Sequence, residues 1–117
     1  MDLYPPEKIF SVFENIGLKW NSRVVVALGT RRRRFNDLRR EIDGLTQRML
    51  TRTLRALERD GLVKRTVVES LQSHVEYELT PLGLSALSLL QQIITWIEEN
   101  AEQIRDAQIA FDQRNKD

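Results

Sequence analysis

Arg48, Arg52, Arg55 and Arg59 recur at helical spacing within the stretch from Thr46 to Gly61. At 3.6 residues per turn the four fall inside an arc of about 60°, and Leu50, Leu54 and Leu57 fill a similar arc on the opposite side. A helix with an oily back and a cationic front can rest on a protein core while presenting guanidinium groups outward. Arginine pairs with guanine through two parallel hydrogen bonds, glutamine pairs with adenine in the same way, and a threonine methyl can meet the methyl of thymine. Gln47, Arg48, Thr51, Arg52 and Arg55 are therefore the candidates for reading base edges in a DNA major groove. Arg59, a turn further along, is placed to meet a phosphate, and Thr46 sits where it can both cap the helix and touch the backbone.

The charge around this helix is concentrated. Between residues 31 and 65 there are twelve basic residues and five acidic ones, so the segment carries +7 and the rest of the chain, whose total is +1, carries −6. A basic middle flanked by acidic ends points to a polyanionic partner for the middle. Arg32, Arg33 and Arg34 of the run Arg31–Arg34 are expected to clamp backbone phosphates beside the groove, with Arg39 and Arg40 as weaker candidates. Lys64 and Arg65 complete the phosphate set, although strand alternation sends them to opposite faces, so at most one is expected to reach.

Other chemistries are poorly supplied. The 117 residues contain no cysteine and one histidine, His74, which excludes disulfides, thiolate metal sites and thiol redox chemistry. No Gly-rich phosphate loop and no carboxylate–histidine spacing of a metal centre occurs, so an enzyme is the least supported reading, and neither a metal site nor a cofactor is expected. No stretch approaches the roughly 18 apolar residues of a membrane span, and no signal peptide opens the chain, which together suggest a cytoplasmic protein.

The elements that must position the arginines can be read from periodicity and punctuation. A first helix is expected from Pro5-Pro6 to Ile16, with Ile9, Val12, Phe13 and Ile16 as its stripe. A second spans Trp20 to Leu28, with Trp20, Val24, Val25 and Leu28 inward, despite a β-branched run that favours helix poorly. A short third helix runs from about Asn36 to Ile42, and Asp43-Gly44 turns the chain into Thr46, the cap of the arginine helix. Two short helices joined by such a turn form a helix-turn-helix, over about residues 35–60. Gly61 stops the arginine helix, and strands at about Leu62–Val68 and His74–Leu79 form a hairpin, the wing, over 62–80. Thr80-Pro81 starts a last helix that runs to about Asn100 and could continue to Phe111. Its stripe of Leu84, Leu87, Leu90, Ile93, Ile94, Ile97, Ala101 and Ile104, joined by Trp96, is longer than one small domain can cover. Trp20, Phe35, Tyr77 and Met49 are expected in the core, and His74 on the wing surface.

Five segments in this order resemble the HxlR-type winged-helix transcriptional regulators: Gly17-Leu18-Lys19-Trp20; Arg33 to Arg40; Met49-Leu50 with Leu54, Leu57 and Asp60 to Val63; Val75 to Gly83; and Trp96. The resemblance extends over roughly residues 8 to 97. It implies a small bacterial or archaeal homodimer that binds DNA and regulates transcription, with dimers like those of MarR-type proteins, formed by N- and C-terminal helices. Two departures matter. Many relatives carry a cysteine just before the first conserved helix, where this chain has Tyr4 and Pro5, so redox sensing does not carry over. The wing tip Ser70-Leu71-Gln72-Ser73 has no Lys or Arg, which argues against deep insertion into a minor groove.

The expectation is thus a single domain over residues 1–117, mostly α with a small β-hairpin: a winged helix-turn-helix with flanking dimerisation helices at 5–16 and 81–111. Ile9, Val12, Phe13, Leu90, Ile93, Ile94, Trp96, Ile97, Ala101 and Ile104 are the candidates for the dimer interface. The partners expected are double-stranded DNA, as a palindromic operator, and a second copy of the chain. An unidentified small-molecule effector is also open, and Trp96 could line its pocket, though packing between subunits is the favoured role. The rival reading is a winged-helix module that docks protein instead of nucleic acid; the arginine front argues against it.

Overall fold

Three consecutive valines make poor helix, yet Lys19–Leu28 is helical (α1), because Val24, Val25 and Leu28 fall on one face and are fully buried there. The computed structural model describes residues 19–116, so the helix expected at 5–16, with Ile9, Val12 and Phe13, lies outside the described residues. After α1 come a two-residue strand β1 (Arg33–Arg34), then α2 (Phe35–Glu41), α3 (Gln47–Arg59), β2 (Val63–Val68), β3 (His74–Leu79), α4 (Pro81–Glu99) and α5 (Ala101–Arg114). The three strands form an antiparallel sheet in the order β1-β3-β2. The described residues are therefore a winged helix-turn-helix, mostly α with a small sheet, in which the sheet has one strand more than the hairpin expected from sequence.

One core joins these elements. Leu28, Leu38, Leu50, Leu54, Leu57 and Leu62 are fully buried, with Ile42, Leu45, Val63, Leu79, Ala86, Leu87 and Leu90 around them. Each such aliphatic side chain contributes about 1.5–3 kcal/mol relative to exposure. Trp20, Phe35, Met49 and Tyr77 pack on its margin.

The stops and starts are local and specific. At the end of α3 the Leu62 amide donates to Leu57 O (2.9 Å) and the Gly61 amide donates to Glu58 O (3.0 Å), with Gly61 at φ 78°. This Schellman pairing needs a left-handed residue at Gly61, and the buried Leu57 and Leu62 supply its apolar contact. At the start of α4 the Thr80 hydroxyl accepts from the Gly83 amide (3.1 Å) and donates to Gly61 O (2.6 Å), which ties the wing's return to the end of α3. Gly83 presses on that junction. A Cβ there would lie 2.1 Å from Leu62 O and 3.2 Å from Leu79 Cβ. Gly83→Ala should therefore lower stability, although alanine favours helix by about 1 kcal/mol, because the clash is with backbone. Overpacking costs of about 1–3 kcal/mol or more imply a fall in Tm on the order of 10 °C, and a thermal melt at or above wild type would contradict this close seating.

The long last helix of the sequence reading is two helices. At Asn100 the backbone turns to φ −112° and ψ 11°, and the Asn100 side-chain amide donates to Trp96 O (2.8 Å). The Trp96 carbonyl accepts from the Asn100 backbone amide as well (3.1 Å), so Asn100 closes the last turn of α4 twice over. Leu84 is 39% exposed, and the face of α4 that enters the core is Gly83, Ala86, Leu87 and Leu90. The same face continues as Ile93, Ile94 and Ile97, which the described residues cover only in part. No residue of α5 is buried. The radius of gyration is 17.7 Å, against about 13 Å for a compact domain of 100 residues, as two projecting helices require. No helix among the described residues is long and apolar enough to cross a membrane.

Candidate nucleic-acid interface

α3 is held from behind. Leu50, Thr53, Leu54 and Leu57 are buried, and the Thr46 hydroxyl caps the first turn by accepting from the Met49 amide at 3.1 Å. The opposite side bears Arg48, Arg52, Arg55 and Arg59, all exposed. None of the four makes a hydrogen bond or ion pair with another described residue. Gln47 and Thr51 are exposed beside them, and the Thr51 hydroxyl donates to Gln47 O at 2.9 Å, which fixes its rotamer. The structure thus brings Gln47, Arg48, Thr51, Arg52, Arg55 and Arg59 onto one open surface, with Thr46 at its N-terminal edge.

The four-arginine run behaves differently from its appearance in sequence. β1 pairs with β3 in the register Arg33↔Tyr77 and Arg34↔Glu76, so neighbouring arginines point to opposite faces. Arg33 turns inward. Its side chain is only 14% exposed, and Nη1 donates to Ala27 O (3.0 Å), in the last turn of α1, and to Glu41 Oε2 (2.5 Å), at the end of α2. Arg32 lies against the outer face of β3, where Nε donates to Glu78 Oε2 (2.5 Å) and Nη1 is 3.8 Å from Glu76 Oε1. These two guanidiniums, expected on phosphates, have partners within the protein; Arg33 braces α2 against α1. Arg31 and Arg34 are exposed and make no such pair among the described residues. Lys64 and Arg65 are both exposed on β2, with Lys64 opposite Glu78 in the ladder.

The wing tip between β2 and β3 is shaped by its own polar groups. Ser70 Oγ donates to Gln72 O (3.0 Å), and His74 contacts Gln72 O through Nδ1 (3.1 Å) and Glu76 Oε2 through Nε2 (2.7 Å). His74 is therefore half-buried in a hydrogen-bonded setting, where the sequence suggested plain surface. Leu71 stands fully exposed at the tip.

The model of the HxlR-like helix-turn-helix family matches residues 15–105, most of the chain. The chain belongs to this family. Among its relatives, an uncharacterised HTH-type transcriptional regulator of Escherichia coli K12, YtfH, is 38% identical over 93 residues, covering 80% of this chain and 74% of that protein. The structure of the transcriptional regulator YtfH from Salmonella typhimurium superposes with a TM-score of 0.79 at 33% identity, covering 92% of this chain and 96% of the other. A MarR-family regulator from Enterococcus faecalis V583 superposes with a TM-score of 0.73 at 33% identity, over 90% and 97% of the two chains. This HxlR-like protein is a transcriptional regulator of the helix-turn-helix type.

In this HxlR-like chain, sequence reasoning missed strand β1, because two residues carry no periodicity. Asn36 and Lys19 entered it only as members of the family segments, with no site role. Leu90, grouped from sequence with interface residues, is buried in the core at 7% exposure. Ile93 (53%), Ile94 (39%), Trp96 (58%) and Ile97 (47%) remain open beyond it, and Ala101 and Ile104 are half-buried.

Proposed function

We propose that this regulator acts as a homodimer on a palindromic DNA operator, with the helix from Thr46 to Asp60 in the major groove. The observation that carries the reading is the unpaired arginine front of α3. Four guanidiniums stand on a helix anchored by its buried leucines and meet no carboxylate among the described residues, so their hydrogen-bonding capacity is left for a partner. Gln47, Arg48, Thr51, Arg52 and Arg55 would meet base edges, and Thr46, Arg34, Arg59 and one of Lys64 and Arg65 the backbone. Arg31 and Arg34 are the members of the arginine run with donors to spare, while Arg32 and Arg33 would contribute charge only if their pairs with Glu76, Glu78 and Glu41 open.

The dimer reading is supported by the uncovered face of α4 and α5. Ile93, Ile94 and Ile97 share one open apolar face, with Trp96 exposed a turn away beside polar residues, and soluble monomers seldom leave large apolar faces open. Two-fold pairing through the α4 and α5 helices, with residues 5–16 contributing Ile9, Val12 and Phe13, would cover it and set two copies of α3 about 34 Å apart, one turn of duplex. Such a protein works where the chromosome is, in the prokaryotic cytoplasm. Selection of bound duplexes from a random pool tests the whole proposal. The expected winners carry inverted half-sites about 10 base pairs apart. A pool with no enriched sequence would instead favour the protein-docking use of the fold.

A further inference from the structure

The arginine front of α3 is bordered on each side by a cleft. On one side, Gln47 and Thr51 form the wall of a cleft of about 590 Å³ that also takes in Arg34, Asn36 and Arg40 from the β1–α2 segment. On the other, Met49 and Ala56 face a cleft of about 400 Å³ that takes in Lys19 and Trp20 from α1. At 100° per residue, each pair of wall residues stands about a quarter turn from the centre of the arginine arc, in opposite directions. The clefts therefore bracket the helix.

Both hold donors that no other described residue satisfies in full. Arg34 and Asn36 make no hydrogen bond to a described residue. Arg40 gives Nη2 to Asp37 Oδ1 at 2.6 Å, an exposed pair that leaves most of its five N–H groups open. In the second cleft, Lys19 Nζ lies 4.9 Å from the Trp20 ring, and the Arg23 guanidinium, outside the cleft's lining, lies 5.3 Å from the same ring. An aromatic face holds a cation in place without cancelling its charge. The geometry of a major groove then matters. The groove is about 12 Å wide and a helix with its side chains about 10–12 Å across. A helix in the groove fills it, so the phosphates of the two bordering strands lie beside the helix and must be met by neighbouring elements. Here those elements are α1 on one flank and the β1–α2 segment on the other.

We propose that the two clefts are phosphate seats, one for each strand bordering the groove: Arg34, Asn36 and Arg40 hold one backbone, and Lys19 on Trp20 holds the other, with Arg23 adding charge from the cleft's margin. This rests on the reading of α3 as the groove helix. It assigns sequence-independent grip to residues off α3 and leaves base reading to α3 itself.

Binding of the full chain to a mixed-sequence 30-base-pair duplex, followed against salt concentration, tests it. Arg34→Ala/Arg40→Ala and Lys19→Ala/Arg23→Ala should each flatten the plot of log affinity against log salt by about 0.9 for every phosphate contact removed. The two losses should add in the quadruple variant, as they do for separate sites, and should be the same on any sequence. Asn36→Asp guards against misreading a folding defect. It removes no internal hydrogen bond, and an acid near the start of a helix favours the helix, yet it should weaken binding to every duplex while the thermal melt holds. An unchanged salt slope in either double variant, with Arg52→Ala still weakening binding, would overturn the bracket and leave the groove reading standing. A wild-type chain that binds no duplex at low salt would remove both.

Discussion

Arg52→Ala should lower affinity for the selected operator by about tenfold to a hundredfold per protomer, the range for losing one bidentate base contact worth about 1–3 kcal/mol. Arg52 stands at one edge of the arginine arc, is exposed, and has no partner among the described residues. Its removal costs no internal bond, and the melting temperature should stay where it is. The loss should be smaller on a scrambled duplex, because only the charge term remains there. Comparing the two duplexes separates base reading from simple attraction. Equal affinities and an unaltered salt slope on both would show that Arg52 does not face DNA, and the major-groove assignment of α3 would fail with it.

Ile94→Asp is expected to have the largest effect on assembly. Ile94 is 39% exposed on the protomer, on the face that continues from buried Leu87 and Leu90. An aspartate there stays in water in a monomer, and is driven into an apolar contact, without a partner, in a dimer. Burying an unpaired charge costs several kcal/mol. Light scattering at micromolar concentration should move from a dimer to the 13.7 kDa protomer, and operator affinity should drop at least a hundredfold, because one half-site is then bound without the other. The protomer's own melt should change little. A variant that remains dimeric would place the two-fold contact elsewhere. A wild-type chain that is monomeric at the same concentration would remove the dimer altogether.

The parts of the fold legible in the sequence were those governed by short-range rules. The cap at Thr46, the stop at Gly61 and the Thr80-Pro81 start are each decided within about six residues, by hydrogen bonds that those residues make to their own backbone neighbours. The helical period then separated the oily and cationic sides of α3, since which residues share a face is a property of the helix alone. Family membership followed from the order of such signals along the chain.

Partners distant in sequence lay beyond that reach. Arg31 to Arg34 read as one cationic block, and only the pairing of β1 with β3, more than forty residues later, turned Arg33 inward to Ala27 O and Glu41 and set Arg32 against Glu76 and Glu78. The clefts beside α3 arise in the same way, from α1 and the β1–α2 segment meeting a helix to which no sequence pattern ties them. The apolar period through α4 was visible, but not where its cover ends, between Leu90 and Ile93. The amino-acid order by itself determined which helix faces the solvent with arginine and where that helix begins and ends, because those are matters of local geometry and propensity. Tertiary structure decided which cations are already paired, which donors converge, and which part of an apolar stripe is left bare, because each depends on long-range contacts that a one-dimensional pattern does not contain.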